Sequence, residues 1–99
     1  GISEGRKVAL VADLFNVPWC AHVSICSWIH LAAAVHLAAA SPNFLICEYP
    51  NPLARNPLGD PFLAQPIQVE RGHIRVPDGP GLGISIDEEA VRMHLVLYS

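Results

Sequence analysis

The chain has 99 residues and a mass of 10.7 kDa, the size of one small domain, and a second folded domain is excluded. Its 52% hydrophobic and 15% charged residues place it on the apolar side of an average chain, whose charged share is about 25%, which excludes disorder. The six bases, Arg6, Lys7, Arg55, Arg71, Arg75 and Arg92, are scattered among nine acids for a net charge of -3, so no nucleic-acid footprint is present.

The chain opens on Gly1 rather than Met, as a processed chain, a cleaved tag or a piece of something longer would. Ser3 predicts a capped helix over Glu4 to Phe15, with Val8, Leu10, Val11 and Leu14 at helical spacing and Asn16 as its stop. Val17 to Ala21, entered through Pro18, predicts a short buried strand. Ser27 predicts the cap of a second helix that ends at Ala40 before Ser41-Pro42-Asn43, with Trp28, Leu31, Val35 and Ala39 on one face. The apolar stretch from Trp28 to Ala40 is shorter than the roughly 20 residues of a membrane span and contains His30 and His36. With no signal-peptide core at the N-terminus, no membrane partner and a cytoplasmic location are expected.

Phe44 to Cys47 is a continuous apolar run, as a strand buried on both faces would be. Helix, strand, helix, strand is the rhythm of a parallel α/β structure. Seven of the nine prolines fall between residues 50 and 80, so the second half begins as loop. Ile67 to Glu70 and His73 to Val76 alternate around Arg71-Gly72 as a hairpin would. Gly79-Pro80-Gly81-Leu82-Gly83 lacks both the dinucleotide fingerprint and the Gly-Lys-Ser/Thr ending of a P-loop, and is expected to be a rigid turn. A strand-like Ile84 to Ile86 follows, then a helix capped by Asp87 that runs from Glu88 to about Leu95.

Among the residues able to do chemistry, His22 stands one position past the first predicted strand and Glu48 ends the second. In parallel α/β proteins ligands gather at the carboxyl ends of strands, so the two side chains are expected to project into one pocket. An imidazole moves protons near neutral pH, and a carboxyl in an apolar wall can donate a hydrogen bond. His30 and His36 flank the second helix as surface or interface residues, and His73 and His94 carry no signal. Cys20, Cys26 and Cys47 are expected to be packed free thiols. A zinc site from Cys20, His22 and Cys26 is the alternative, but no CxxC pair supports it and no zinc is expected.

The order of landmarks carries a resemblance. Ala21-His22, His30-Leu31-Ala32-Ala33-Ala34, Ala38 to Phe44, Glu48-Tyr49, Gly72 to Gly83 and Asp87-Glu88 resemble the C-terminal end of the enolase superfamily. The branch is the mandelate racemase and muconate-lactonising group with its acid-sugar dehydratases. Gly72 to Gly83 is the most specific stretch. The resemblance implies the last two βα units of a TIM-type barrel over residues 1 to 49 (helix six, strand seven, helix seven, strand eight). Residues 50 to 99 would be an extension returning to the capping domain.

The resemblance also implies roles: His22 as acid or base on the proton alpha to a carboxylate, and Glu48 hydrogen-bonding that carboxylate as it becomes an enediolate. Mg²⁺ is implied for the complete enzyme only. The family's histidine usually follows proline, whereas Ala21 precedes His22. Its metal-binding carboxylates, its strand-two lysine and its strand-six acid have no counterparts in these 99 residues. Two functions follow as expectations. The chain is the C-terminal part of a Mg²⁺-dependent dehydratase or racemase acting on a small carboxylate or acid sugar, inactive and cofactor-free by itself, or it is a non-catalytic module. In either case, strands with open edges predict a homo-oligomer or a domain swap.

Overall fold

A computed structural model describes residues 1–49, 56 and 59–94. The first helix, α1 (Ile2–Leu14), starts two residues earlier than Ser3 predicts. Gly5 N–H donates to Gly1 O at 3.0 Å, so Gly1 is the cap and Ser3 lies inside the helix without a capping bond. The helix stops where expected. Asn16 takes φ 54, and the N–H groups of Asn16 and Val17 return to Asp13 O and Ala12 O, the paired bonds that close a helix through a left-handed residue.

Strand β1 (Trp19–Ala21) pairs in parallel with β2 (Phe44–Cys47), and α2 (Trp28–Ala39) makes the crossover between them. The register runs Trp19 to Phe44, then Cys20 to Ile46 and Ala21 to Cys47, so Leu45 is skipped. Ser27 caps α2 as predicted, its side chain accepting from His30 N, and the Ser41 hydroxyl donates to Leu37 O at 2.7 Å near its end.

The core lies between α2 and one face of the sheet. Val23, Cys26, Leu31, Ala34 and Val35 form it, with Ala21, Trp28, Cys47 and Tyr49 packed around them. The buried face of α2 takes in Ala32, Ala34 and Ala38 and leaves Ala39 exposed, a rotation from the expected face. The reason is α1. Its Gly5 lies against Leu37 of α2, where a Cβ would stand 2.6 Å from Leu37 Cδ2 and push that side chain aside. Asn43 fastens this corner, its amide donating to both Ala9 O and Val17 O at 3.0 Å.

The strands are not buried on both faces as their apolar runs predict. Ile46 and Cys20 are exposed, because this chain supplies a helix to only one side of a two-stranded sheet. In α1 the predicted apolar stripe is also bare, and Ala9 is its buried residue.

In the second half, a 3₁₀ turn (Asp60–Phe62) precedes the hairpin β3 (Val69–Glu70) and β4 (His73–Ile74). Arg71 and Gly72 both take positive φ, 51 and 79, the two-residue turn that matches strand twist. Ile67 and Ile74 reach across to the core of the first half. The glycine-rich segment is a turn as expected: Gly83, at φ 67, lies so close to Pro77 that a Cβ there would meet it at 2.7 Å.

Ile84 to Ile86 does not form the expected strand. Among the described residues it contributes one bridge, Leu63 to Ile86, and its backbone bonds run to the chain leaving the 3₁₀ turn. Asp87 caps α3 (Glu88–Met93) by accepting from Ala90 N at 3.0 Å, and the expected end at Leu95 lies outside the described residues. His36 differs from a plain surface residue: it is half-buried, and its Nε2 lies 3.1 Å from Leu82 O, which makes it the donor. Among the described residues no helix is long and apolar enough to cross a membrane.

Candidate functional site

Because β1 and β2 run parallel and pair at Ala21 and Cys47, the residues that follow them emerge side by side. His22 and Glu48 are those residues. His22 Nε2 stands 3.8 Å from Glu48 Oε2, and Ser24 Oγ lies 3.4 Å from the same nitrogen. The Glu48 carboxylate does not sit in an apolar wall. Its Oε2 accepts from the backbone N–H of Val23 at 2.9 Å, so strand β2 is tied directly to the segment that carries the histidine. The His22 side chain is 88% exposed and that of Glu48 41%, which makes this a pair on an open surface rather than in an enclosed pocket. An imidazole within ion-pair reach of a carboxylate, beside an oriented amide and a hydroxyl, can take and return a proton.

The cysteines divide. Cys20 is exposed, contrary to its apolar sequence context, whereas Cys26 is buried and donates its thiol to Val23 O at 3.4 Å. Burial pushes the Cys26 thiol above its ordinary value. Burial also raises the half-buried Cys47, with the charge of Glu48 next in effect. No group of three or more His, Cys, Asp or Glu among the described residues could hold a metal ion. The zinc arrangement of Cys20, His22 and Cys26 is therefore not assembled. The same test fails for Mg²⁺, a hard ion that takes oxygen ligands: the described carboxylates do not converge.

Sequence reasoning missed Asn56 and Asp60. Asn56 is buried, and its side-chain amide donates to Cys26 O at 2.9 Å. Asp60 accepts from Asn56 N at 2.8 Å and from the Trp28 indole at 3.0 Å. Their signal was the turn chemistry of Asn56-Pro57 and Gly59-Asp60-Pro61, which reads equally well as any proline-rich loop.

Three comparisons bear on this geometry. The family model described as enolase C-terminal domain-like matches residues 1–90. D-xylonate dehydratase of Haloferax volcanii is 35% identical over 98 residues, covering 97% of this chain and 23% of that protein. D-galactarolactone cycloisomerase of Agrobacterium fabrum is 33% identical over 104 residues, covering 92% of this chain and 25% of its own length. A crystal structure of an enolase from Mycobacterium smegmatis, complexed with formate and acetate, superposes with a TM-score of 0.74 at 33% identity. It covers 94% of this chain and 22% of that one. The chain thus spans about a quarter of the length of these relatives.

Proposed function

The chain belongs to the enolase C-terminal domain-like family, and on that footing we propose that it is the C-terminal part of an enzyme that removes the proton alpha to a carboxylate. Dehydration of an acid sugar is the first choice of reaction, with racemisation and cycloisomerisation behind it. The names of the two relatives, a dehydratase and a cycloisomerase, support dehydration and cycloisomerisation as candidates. On this reading α1 and α2 are the sixth and seventh helices of a TIM-type barrel, β1 and β2 are its seventh and eighth strands, and the residues from 50 onward return to the capping domain.

The observation that carries the reading is the juxtaposition of His22 and Glu48 past two paired parallel strands. His22 takes the proton or returns it. Glu48 hydrogen-bonds the substrate carboxylate while negative charge builds on it, an interaction worth most where water is excluded. The exposure of both side chains supports the further proposal that the isolated segment is inactive, since among the described residues water reaches the pair freely. Any metal is held by residues other than those described, and no step is assigned to it.

The test is His22→Asn in the complete enzyme. Turnover is expected to fall by three orders of magnitude or more with the far-ultraviolet circular dichroism unchanged, and unchanged turnover overturns the role. A second test uses calorimetry: the 99-residue chain is expected not to bind Mg²⁺ at micromolar concentration, and micromolar binding contradicts the reading.

A second reading, self-association without catalysis, is favoured by surface. The accessible area is 7558 Å², against about 5,500 Å² for a monomer of this mass, and the radius of gyration is 14.9 Å, against about 13 Å. Apolar residues account for part of the excess, Leu14 being 80% and Phe15 74% exposed. By itself, the chain covers such faces with a second copy.

A further inference from the structure

The segment from His22 to Ser27 has neither helix nor strand, yet it carries the histidine and the amide that holds Glu48. Something must fix its course. Val23 is almost completely buried, and the Cys26 thiol closes a small loop onto Val23 O. The far end is held from the second half of the chain, where the buried Asn56 amide donates to Cys26 O at 2.9 Å.

Asn56 is itself fixed. Its backbone N–H donates to Asp60 Oδ2 at 2.8 Å, and its carbonyl accepts from Gly59 N and Asp60 N. The other oxygen of Asp60 accepts from Trp28 Nε1 at 3.0 Å, and the Trp28 ring stacks on Tyr49, the residue after Glu48, with centroids 6.1 Å apart. Through the Asn56 amide, the Asp60 carboxylate and the Trp28 indole, the Cys26 carbonyl in the segment that carries His22 is linked to the ring of Tyr49, the residue after Glu48. The fit is tight, since a Cβ at Gly59 would meet Asn56 Nδ2 and Trp28 Nε1 at 2.7 Å.

We propose that Asn56, Asp60 and Trp28 form a clamp that sets the spacing of His22 and Glu48, with Asn56 as its positioning residue. Its significance for catalysis rests on the function proposed above, but the geometry it predicts does not. Asn56 and Asp60 complete a chain of contacts that runs from Cys26 O through the Trp28 indole to the Tyr49 ring.

The test follows amide hydrogen exchange in the full 99-residue chain. In Asn56→Ala, exchange at Val23 N, which reports the bond to Glu48, is expected to accelerate at least tenfold while Val35 in α2 is unchanged. Asp60→Asn leaves the Asn56 side chain in place but removes one of two acceptors, and a smaller acceleration at Val23 is expected. Unchanged Val23 exchange in Asn56→Ala overturns the proposal. So does parallel acceleration at Val23 and Val35, or loss of the fold in both variants, because Asn56 would then support the whole structure and not this spacing. If Val23 alone responds and His22→Asn in the complete enzyme retains turnover, the clamp stands and the catalytic reading falls.

Discussion

Helices α1 and α2 have similar lengths, 13 and 12 residues, and opposite fates. In α2, apolar residues surround the helix and the chain covers one face of it: Leu31 and Ala32 are completely buried and Val35 nearly so, while Ile29 and Ala39 stay exposed. In α1 a clear apolar stripe runs through Val8, Val11, Leu14 and Phe15, and all four are exposed. Amphipathic spacing creates a face that needs cover, but it does not supply the cover. What α2 finds in its own chain, α1 does not find among the described residues.

The sharpest way to break this comparison is to empty each helix in turn. Leu31→Ala removes a side chain with no exposure from the centre of the core, and a loss of about 2–5 kcal/mol is expected in urea denaturation. Leu14→Ala in α1, measured below the association concentration, is expected to change stability by no more than about 0.5 kcal/mol. Equal costs would mean that α1 is covered within the chain after all.

Asn43→Ala tests what holds α1 in place instead. Two bonds to Ala9 O and Val17 O are lost, but so is the buried Asn43 Oδ1, which has no hydrogen-bond partner. The orphan oxygen partly offsets the loss, leaving about 1–2 kcal/mol, read in the same urea experiment. A larger loss would show that the unpaired oxygen costs little in the native chain.

The paired substitution Val11→Lys and Leu14→Lys sharpens the comparison from the other side. Light scattering at micromolar concentration is expected to give a mass above 10.7 kDa for the native chain. The variant is expected to associate at least tenfold more weakly. A native mass near 10.7 kDa would remove the second copy from the account of α1.

What was legible in the sequence follows the same division. Most local signals, in which a residue and its partner lie within a turn of each other, read correctly: Ser27 and Asp87 as caps, Asn16 as a stop, Arg71-Gly72 as a hairpin turn; Ser3 did not, because α1 starts from Gly1. The strand rhythm also read correctly, because an uninterrupted apolar run such as Phe44 to Cys47 has few other uses. Exposure did not. The run at Phe44 to Cys47 and the stripe on α1 are written for neighbours, and a sequence does not say whether those neighbours belong to the same chain. His22 and Glu48 were legible as a pair through their places after two strands, and the structure brings them within 3.8 Å. The Asn56 contact was not, since a separation of 30 positions between Cys26 and Asn56 leaves no periodicity to read.

The smallest expected effect lies on the α2 side of the molecule and depends on pH. Burial raises the thiols of Cys26 and Cys47 above the ordinary value of 9.0, and it raises the Tyr49 phenol above 10.0, with the charge of Asp60 adding to it. A raised value means that the folded chain holds the proton more tightly than the unfolded one. The stability this confers is present in full below the ordinary value and is lost as pH rises through the folded one. The urea midpoint, measured with reductant to keep the thiols free, is therefore expected to stay level from pH 7 to 8. It should fall above about pH 9 as the thiols ionise and again beyond 10 as Tyr49 does. Cys47→Ala should flatten the first part of that fall. A fall that keeps its full slope in that variant would remove the Cys47 thiol from the account of the alkaline sensitivity.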